Sequence, residues 1–366
     1  MSRFFSEKFR GLVPYTPGEQ PRGRAFVKLN TNESPFPPSE KAMAAAAEAA
    51  GRLELYPDPA CTSLRAALAE TYGVTPDAVI CTNGSDEVLN FAFMAFCDER
   101  HPVVFPDITY GFYEVFAALH RLPFRKIPLA EDFSIDPADY FGAGATIVLA
   151  NPNAPTGLLL SAAAIEEIVA SNPGHVVVID EAYIDFGGES VVPLTKKYKN
   201  LLVTGTFSKS RSMAGARLGF GIGDPALIAD LDILRCSTNP YNLNAMTMAA
   251  GLGVLADEDY TRRNCRRIIE NRAYTAEAMK KLGFVLTDSA ANFLFASHPA
   301  AGGGELCAAL REKGILVRHF DSPRIAAYNR ITIGSRGDCD ALLCALAAIL
   351  GRPVPTDNLS PKGTTP

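Results

Sequence analysis

Three side chains that together could carry out amine chemistry follow strand-like runs of this chain. Lys209 comes shortly after the run 201–206, and Arg217 follows eight residues after the lysine. Asp180 ends the apolar run 176–180. A lysine amine can form an imine with an aldehyde, an arginine can pair with a phosphate, and a carboxylate can keep a ring nitrogen protonated. These residue types predict a pyridoxal-phosphate site in an enzyme that acts on amines.

Two further side chains are predicted to donate hydrogen bonds to the 3'-oxygen of that cofactor. Asn153 lies in the turn-forming run NPNAPTG directly after a strand-like run, and Tyr183 follows Asp180 by three residues. Glu181 is a poorer partner for the ring nitrogen than Asp180, because adjacent side chains of a strand point to opposite faces. Tyr110 follows another strand, where it could stack on the ring or serve as a core aromatic residue.

The phosphate of the cofactor needs donors, and two parts of the chain can supply them. Gly84, Ser85 and Asp86 follow a strand-like run and open a helix, whose first amides suit an anion. Ser208 and Arg217 add a hydroxyl and a bidentate cation. Ser85 and Asp86 are also ordinary helix-capping residues, so this pattern alone is ambiguous. The occurrence of all these residues after strands favours the cofactor site.

Strand-like and helix-like runs alternate over residues 60–255, and these elements must position the site. Such alternation predicts a mostly parallel sheet with helices on both faces, in which functional residues gather at the carboxyl ends of strands. The charged segment 257–282, without Gly or Pro, predicts one long helix, which shorter strands and helices follow. The predicted strands of the large sheet are 78–82, 102–105, 145–150, 176–180, 201–206 and 218–222.

These patterns predict an α/β fold with a large domain, a smaller α+β domain and two terminal extensions. The first extension is rich in Pro and Gly, and the last is polar with four prolines and is predicted to be mobile. The predicted parts are an N-terminal arm (1–40), a large cofactor-binding domain (41–255), a small domain (256–351) and a tail (352–366).

Composition narrows the range of partners. The chain has 366 residues, 48% of them hydrophobic, a formal net charge of −5 and no long basic run of the kind that binds nucleic acid. Its eight cysteines include no Cys-x-x-Cys pair, and its five histidines show no ligand spacing, so no metal site is predicted. The first residues lack the apolar core of a signal peptide, and no run is long enough to span a membrane. A cytoplasmic enzyme with small-molecule substrates is predicted.

The chain resembles the fold-type I pyridoxal-phosphate aminotransferases, and within them the histidinol-phosphate aminotransferases. The resemblance extends over nearly the whole chain and implies a large domain with a seven-stranded type of sheet. The motifs that carry it are LVPY (12–15), KLNTNESP (28–35), LYPD (55–58), NGSDE (83–87), NPNAPTG (151–157), DEAY (180–183), the Lys209 to Arg217 segment, GILVR (314–318) and RITIG (330–334).

The resemblance implies a role for each matching residue. It makes Lys209 the residue that carries the cofactor, and it implies a homodimer in which Tyr56 reaches the phosphate of the partner subunit. It further implies that Arg330 binds the substrate α-carboxylate, and that Arg318 and Tyr15 recognise the substrate phosphate. The cofactor-binding set implied in this way is Tyr56, Gly84, Ser85, Asp86, Tyr110, Asn153, Asp180, Tyr183, Ser208, Lys209 and Arg217.

The implied reaction is transamination of L-histidinol phosphate with 2-oxoglutarate in histidine biosynthesis. Two other activities stay open at this point, an aromatic amino-acid aminotransferase and a pyridoxal-phosphate-dependent amino-acid phosphate decarboxylase. A non-enzymatic regulatory domain is disfavoured, because the lysine is intact and the 40-residue arm is too short and too rich in Pro for a DNA-binding segment. The residues SRSM (210–213) and the surroundings of Arg330 depart from the commonest family pattern, which loosens the substrate assignment.

Overall fold

The computed structural model describes residues 2–21 and 25–355 of the chain. Its strands are β1 (Val27–Lys28), β2 (Val79–Thr82), β3 (Val103–Pro106), β4 (Phe124–Ile127), β5 (Thr146–Ala150), β6 (Val177–Asp180), β7 (Leu201–Thr206), β8 (Gly219–Gly223), β9 (Val285–Leu286), β10 (Phe293–Ser297), β11 (Ile315–Leu316), β12 (Arg318–His319) and β13 (Tyr328–Thr332). Its α-helices are α1 (Glu40–Ala50), α2 (Thr62–Tyr72), α3 (Ser85–Phe96), α4 (Phe112–His120), α5 (Ala162–Ser171), α6 (Pro225–Thr238), α7 (Ala245–Leu255), α8 (Glu258–Lys281), α9 (Gly303–Glu312) and α10 (Arg336–Leu350).

The large sheet has seven strands in the order β2-β8-β7-β6-β5-β3-β4. Neighbouring strands pair in parallel from β4 to β7, and only β8 runs against both of its neighbours. Every residue of the six strands other than β4 is buried. This burial on both faces is why their sequences are continuously apolar. The predicted mostly parallel sheet is therefore confirmed, with strand ends within a residue or two of the predicted ones.

The register of this sheet brings the predicted site residues to one edge. Asp180, the last residue of β6, lies opposite Ala150 at the end of β5 and Thr204 near the end of β7. The loop that follows β5 begins at Asn151, and the loop that follows β7 contains Lys209. Loops that are tens of residues apart in sequence thus deliver their polar side chains to a single crevice at the carboxyl ends of the strands.

A smaller antiparallel sheet of four strands, ordered β12-β13-β10-β9, lies in the range where the small domain is predicted. Helices α8, α9 and α10 cover it, and α8 is the predicted long helix with bounds one residue inside the expected ones. These elements enclose a hydrophobic core that includes Ile268, Met279, Leu294, Ile331 and Leu346. A separate core fills the space between the large sheet and its helices.

The N-terminal arm is tied to the small sheet rather than to the large one. Its strand β1 pairs in parallel with β11, with Val27 opposite Ile315. Leu29 then donates its amide to Leu316 and accepts from Thr332, so the arm continues alongside β13. The segment after it, residues 30–34, runs between the two sheets and reaches the crevice.

Residues 356–366 of the predicted tail, 352–366, lie outside the described residues. Within the described ranges, no helix combines the length and the apolar character needed to cross a membrane.

Candidate active site

A cavity of about 260 Å³ lies at the carboxyl edge of the large sheet. Its walls come from the loops after β2, β3, β6 and β7 and from the arm, which supplies Thr31 and Glu33. The cavity gathers most of the cofactor-binding residues predicted from the sequence. Those that line it are Ser85, Asp86, Tyr110, Asp180, Tyr183, Ser208, Lys209 and Arg217.

Lys209 is half-buried and lines this cavity. Its Nζ donates to the carbonyl of Thr31 at 3.3 Å and lies 5.9 Å from the centre of the Tyr183 ring. Burial, and secondly the Arg330 cation, lower the pKa of the lysine to about 8. A substantial fraction of the amine is therefore neutral near physiological pH, which is the form that attacks an aldehyde.

Asp180 lines the cavity from the end of β6, with 4% of its surface exposed. Tyr113 donates to its Oδ2 at 3.0 Å, and Thr204 donates to its Oδ1 at 3.2 Å. Burial raises the pKa of this carboxyl to about 6, with the Tyr113 hydrogen bond acting against the rise. Among the described residues no cation forms an ion pair with Asp180. A protonated ring nitrogen would supply the missing positive charge.

The phosphate end of the cavity is formed where α3 begins. Gly84 precedes the helix with φ of 83°, and it carries no side chain that could cap the free amides. The positive φ favours glycine at this position, where a Cβ would lie 2.5 Å from Nη2 of Arg217. Arg217 donates to Ser208 Oγ at 3.2 Å and to Asp86 Oδ2 at 3.3 Å. The hydroxyl, guanidinium and helix amides thus converge on one place that suits a phosphate.

Two tyrosines line the cavity between these ends. Tyr110 donates its hydroxyl to Asp86 Oδ1 at 2.9 Å, which holds the ring against the space between Asp180 and the phosphate end. Tyr183 accepts a hydrogen bond from Asn32 Nδ2 at 3.0 Å, and its ring meets Phe293 edge-on. Both rings are therefore fixed by polar and aromatic contacts.

A second cavity, of about 300 Å³, adjoins the first and shares Tyr110 and Ala154 with it. Tyr15, Arg318 and Arg330, the three residues predicted to bind substrate, all line it. The arginines are direct cross-strand neighbours on β12 and β13. Like charges in that position repel each other, so an anion between them would be stabilising.

The two arginines are held mainly by backbone carbonyl groups of the arm. Arg318 donates to the carbonyls of Thr16 at 3.1 Å and Pro17 at 3.4 Å. Arg330 donates to the carbonyl of Asn30 at 3.2 Å, and its guanidinium lies 5.5 Å from the centre of the Phe293 ring. The Nε of Arg330 is buried without a hydrogen-bond partner in the described part of the chain. An unpaired buried donor of this kind is costly, and a carboxylate or phosphate would satisfy it.

Sequence comparison agrees with this geometry. The family model for "Aminotransferase class I and II" matches residues 24–346. The chain belongs to this family.

Two curated relatives of this aminotransferase share its length. The histidinol-phosphate aminotransferase of Aromatoleum aromaticum is 49% identical over 96% of this chain and 100% of its own. That of Pseudomonas putida is 47% identical over 95% of this chain and 100% of its own. The family resemblance stated from the motifs is confirmed.

Solved structures confirm the fold-type I architecture. The histidinol-phosphate aminotransferase of Sinorhizobium meliloti, in complex with pyridoxal-5'-phosphate, superposes with a TM-score of 0.87 at 24% identity, over 96% of this chain and 98% of that one. The L-threonine-O-3-phosphate decarboxylase of Porphyromonas gingivalis gives a TM-score of 0.78 at 22% identity, over 89% and 100%. Because both identities are low, these two likenesses concern the fold alone.

Asn153 is one predicted cofactor ligand that does not line the first cavity, the cofactor cavity. Its Nδ2 donates to the Ile108 carbonyl and to Thr156 Oγ1, each at 3.0 Å, and its Oδ1 accepts from Thr109. Both amide hydrogens are therefore already engaged. The residue instead lines a larger cavity of about 450 Å³ on its other side. The described lining of that cavity contains no basic side chain, so it does not suit a phosphate.

Tyr56 lies away from both cavities of its own chain. Its side chain is 81% exposed, stacks on Tyr241 with ring centres 4.5 Å apart, and has the exposed Leu53 and Leu55 nearby in sequence. The expectation that Tyr56 acts on a partner subunit stays a prediction. A patch of exposed aromatic and aliphatic side chains is typical of a protein interface.

Four residues contribute to the aminotransferase site without having been assigned a role from the sequence. Thr31 and Glu33 line the cofactor cavity, and Tyr113 and Thr204 hold Asp180. The polar run NTNES, which stands between Leu29 and Pro35, was a usable signal for the first two. Tyr113 and Thr204 lie in apolar runs that predict core positions, so no local signal distinguished them from core residues.

Proposed function

We propose that this aminotransferase uses pyridoxal 5'-phosphate to transfer the amino group of L-histidinol phosphate to 2-oxoglutarate, a step of histidine biosynthesis. The observation that carries the proposal is the pair of facing arginines, Arg318 and Arg330, in a cavity that opens onto Lys209 and Asp180. The names of full-length relatives at 46–49% identity support the same substrate.

The chain's own residues fit the cofactor from end to end. Gly84, Ser85, Asp86, Ser208 and Arg217 would hold its phosphate through amides, a hydroxyl and a guanidinium. Asp180 would pair with the ring nitrogen, Tyr183 would donate to the 3'-oxygen, and Tyr110 would stack on the ring. When bound, pyridoxal phosphate withdraws electrons from the amine-bearing carbon of the substrate. Asn153 would join these ligands only after its amide exchanges one of its present acceptors.

Lys209 is proposed to hold the cofactor and to move the proton during turnover. Its Nζ, with a pKa of about 8, can take a proton from the carbon next to the substrate amine and later return it. Burial chiefly, and the neighbouring Arg330 cation after it, keep that pKa low, so substrate binding at Arg330 and proton transfer at Lys209 are electrostatically linked.

The second cavity, the substrate cavity lined by Tyr15, Arg318 and Arg330, must accept a phosphate in one half-reaction and carboxylates in the other. Arg330, whose buried Nε lacks a partner, is proposed to bind the α-carboxylate of glutamate or 2-oxoglutarate. Arg318 and Tyr15 are proposed to bind the phosphate of histidinol phosphate on the side nearer the arm. Two cations placed side by side can serve either anion without a change in the backbone.

Half-reactions test this proposal directly. The purified holoenzyme is mixed separately with L-histidinol phosphate, L-glutamate and L-phenylalanine, and conversion of the cofactor to its amine form is followed by absorbance. Histidinol phosphate and glutamate should both convert it, each at a lower concentration than phenylalanine. A preference for phenylalanine over histidinol phosphate would identify an aromatic amino-acid aminotransferase. Release of carbon dioxide from an amino-acid phosphate would identify a decarboxylase.

We further propose a homodimer with shared active sites, located in the cytoplasm. The exposed Tyr56 supports the dimer, and eight free cysteines support a reducing compartment. Mixing inactive Lys209→Ala chains with inactive Tyr56→Ala chains, after dissociation and reassociation, should regenerate sites that contain both intact residues. A mixture as inactive as its parents, together with sedimentation as a monomer, would rule out shared sites.

A further inference from the structure

Asn32 is a buried arm residue to which the proposed function gives no part. It is 1% exposed and adopts a left-handed conformation with φ of 57°, which asparagine tolerates better than most residues. Its backbone is anchored to the small sheet, because its amide donates to Thr332 Oγ1 at 3.0 Å and its carbonyl accepts from Asn292 Nδ2 at 3.0 Å. The side chain is thereby aimed at Tyr183.

The hydrogen bonds around Asn32 have a defined direction. Thr332 Oγ1 accepts from the Asn32 amide, and its single hydrogen is donated to Asn32 Oδ1 at 2.9 Å. This contact favours the orientation of the side-chain amide that places its oxygen at Thr332. The Nδ2 end consequently faces Tyr183 and donates to its Oη at 3.0 Å.

This direction determines what the Tyr183 hydroxyl can do. A phenol oxygen that accepts from an amide must point its own hydrogen elsewhere, and Tyr183 lines the cofactor cavity. Burial raises the pKa of Tyr183, so the phenol keeps its hydrogen and remains a donor at neutral pH. Asn32 thus orients a neutral donor toward the cavity.

We propose that Asn32 is a positioning residue that sets the hydrogen-bond direction of Tyr183, so that the phenol donates to the 3'-oxygen of the bound cofactor. The inference rests on the proposed function, because it assumes the role given there to Tyr183. It makes the arm part of the cofactor site. It also links that site to β13, since Thr332, which orients Asn32, lies two residues beyond Arg330 on the same strand.

Spectroscopic titration of the holoenzyme tests the inference without measuring turnover. The readout is the pH at which the absorbance of the bound cofactor changes, because a donor to the 3'-oxygen favours its ionised form and lowers that pH. Tyr183→Phe should raise it by about one unit, the value of one hydrogen bond to a charged group. Asn32→Gly, which removes the amide without straining the left-handed backbone, should raise it by part of that amount.

Asn32→Asp tests whether Asn32 orients the Tyr183 hydroxyl or only fills space. The aspartate has nearly the same shape and tolerates the left-handed conformation, but its carboxylate accepts hydrogen bonds and would draw the Tyr183 hydrogen away from the cofactor. The titration pH should therefore rise at least as far as in Asn32→Gly. A residue that only filled space would show the opposite order, with the glycine variant more affected. Thr332→Val should give a smaller rise in the same direction.

The combined variant Asn32→Gly with Tyr183→Phe should titrate like Tyr183→Phe alone, because Asn32 acts through the phenol. Unchanged titration in Asn32→Gly and Asn32→Asp, with a shift in Tyr183→Phe, would overturn this inference and leave the proposed function intact. No shift in Tyr183→Phe would overturn both the inference and the assigned role of Tyr183. Thermal unfolding midpoints of all variants identify any that fail to fold. If an Asn32 variant fails to fold, the titration of Thr332→Val tests the inference in its place.

Discussion

The cofactor cavity and the substrate cavity are neighbours, but their polar groups are held in different ways. Asp180, Arg217 and Tyr110 are fixed by side chains of the same large-sheet edge, including Tyr113 and Ser208. In the substrate cavity, the small-sheet residues Arg318 and Arg330 donate to backbone carbonyls of the arm. Side chains of the large domain thus hold most of the cofactor site, whereas the shape of the substrate site depends on how the arm meets the small sheet.

This difference predicts how substitutions act on different substrates. Changes in the cofactor cavity should slow every amino donor alike, because all donors use the same electron-withdrawing group. Changes in the substrate cavity should alter the preference between donors. The following substitutions test this division, beginning with the largest expected effect.

Lys209→Ala should abolish turnover with every donor, by at least about ten-thousandfold, because it removes both the covalent link and the proton carrier. The protein should still bind pyridoxal phosphate through Arg217, Ser208 and Asp180, without the absorbance of the lysine-bound form. Turnover assays with histidinol phosphate and glutamate, together with the absorbance spectrum, measure both effects. Normal turnover would show that the reacting amine is a different lysine.

Asp180→Asn should lower the rate by about a thousandfold with histidinol phosphate and with glutamate, because the ring nitrogen loses its counter-charge. Glu181→Gln is a matched control, since this adjacent acid faces away from the cavity and instead accepts from the Val191 amide at 2.7 Å. The control should stay within a few-fold of the parent. A loss of less than about tenfold in Asp180→Asn would place the essential carboxylate elsewhere.

Arg318→Leu and Arg330→Leu should affect the preference between the two donors differently. Losing Arg318 should lower kcat/KM for histidinol phosphate by about 10–100-fold more than for glutamate, because only the former loses a charge-assisted phosphate contact. Losing Arg330 should weaken glutamate at least as much as histidinol phosphate. Arg311→Leu, which removes an exposed small-domain arginine that pairs with Glu19, is the control. Equal losses of kcat/KM for both donors in both variants would show that changes in the substrate cavity do not alter the preference between donors.

Glu181→Gln should leave activity nearly unchanged and remove a pH dependence of the parent's stability. Burial raises the pKa of Glu181 to about 7 in the folded protein, above its unfolded value, so the folded state favours the protonated acid. The resulting stability is present at low pH and is lost as pH rises through 7. Glutamine mimics the protonated acid, so the variant should gain on the order of 2–3 kcal/mol of unfolding free energy relative to the parent between pH 5 and pH 8. Denaturant unfolding at both pH values measures the change, and a difference independent of pH would contradict it.

Prediction from the sequence succeeded where the pattern was local. The six buried strands of the large sheet are continuously apolar, and the long helix α8 has no Gly or Pro to interrupt it. The edge strand β4, Phe124–Ile127, was not predicted, because it carries Arg125 and Lys126 and is largely exposed. Its pairing with β3 makes this segment a strand, although its own sequence does not indicate one.

The sequence by itself determined which residues could do chemistry and on which strand ends they stand. Lys209 and the start of α3 follow apolar runs and Asp180 ends one, and a parallel sheet brings such ends together whatever the details of the loops. Arg217 instead lies just before β8, whose antiparallel direction brings its first residues to the same edge. The type of cofactor and the family could both be inferred from these residues. The physical reason is that strand and helix periodicity is a property of short segments.

Only the tertiary structure decided how distant segments meet. It placed Arg318 opposite Arg330, turned Asn153 away from the cofactor cavity and brought Asn32 to Tyr183 across 151 residues of chain. Such contacts depend on the packing of the arm against both sheets. No local periodicity encodes them, because the free energy that selects them comes from burial and hydrogen bonding between segments far apart in sequence.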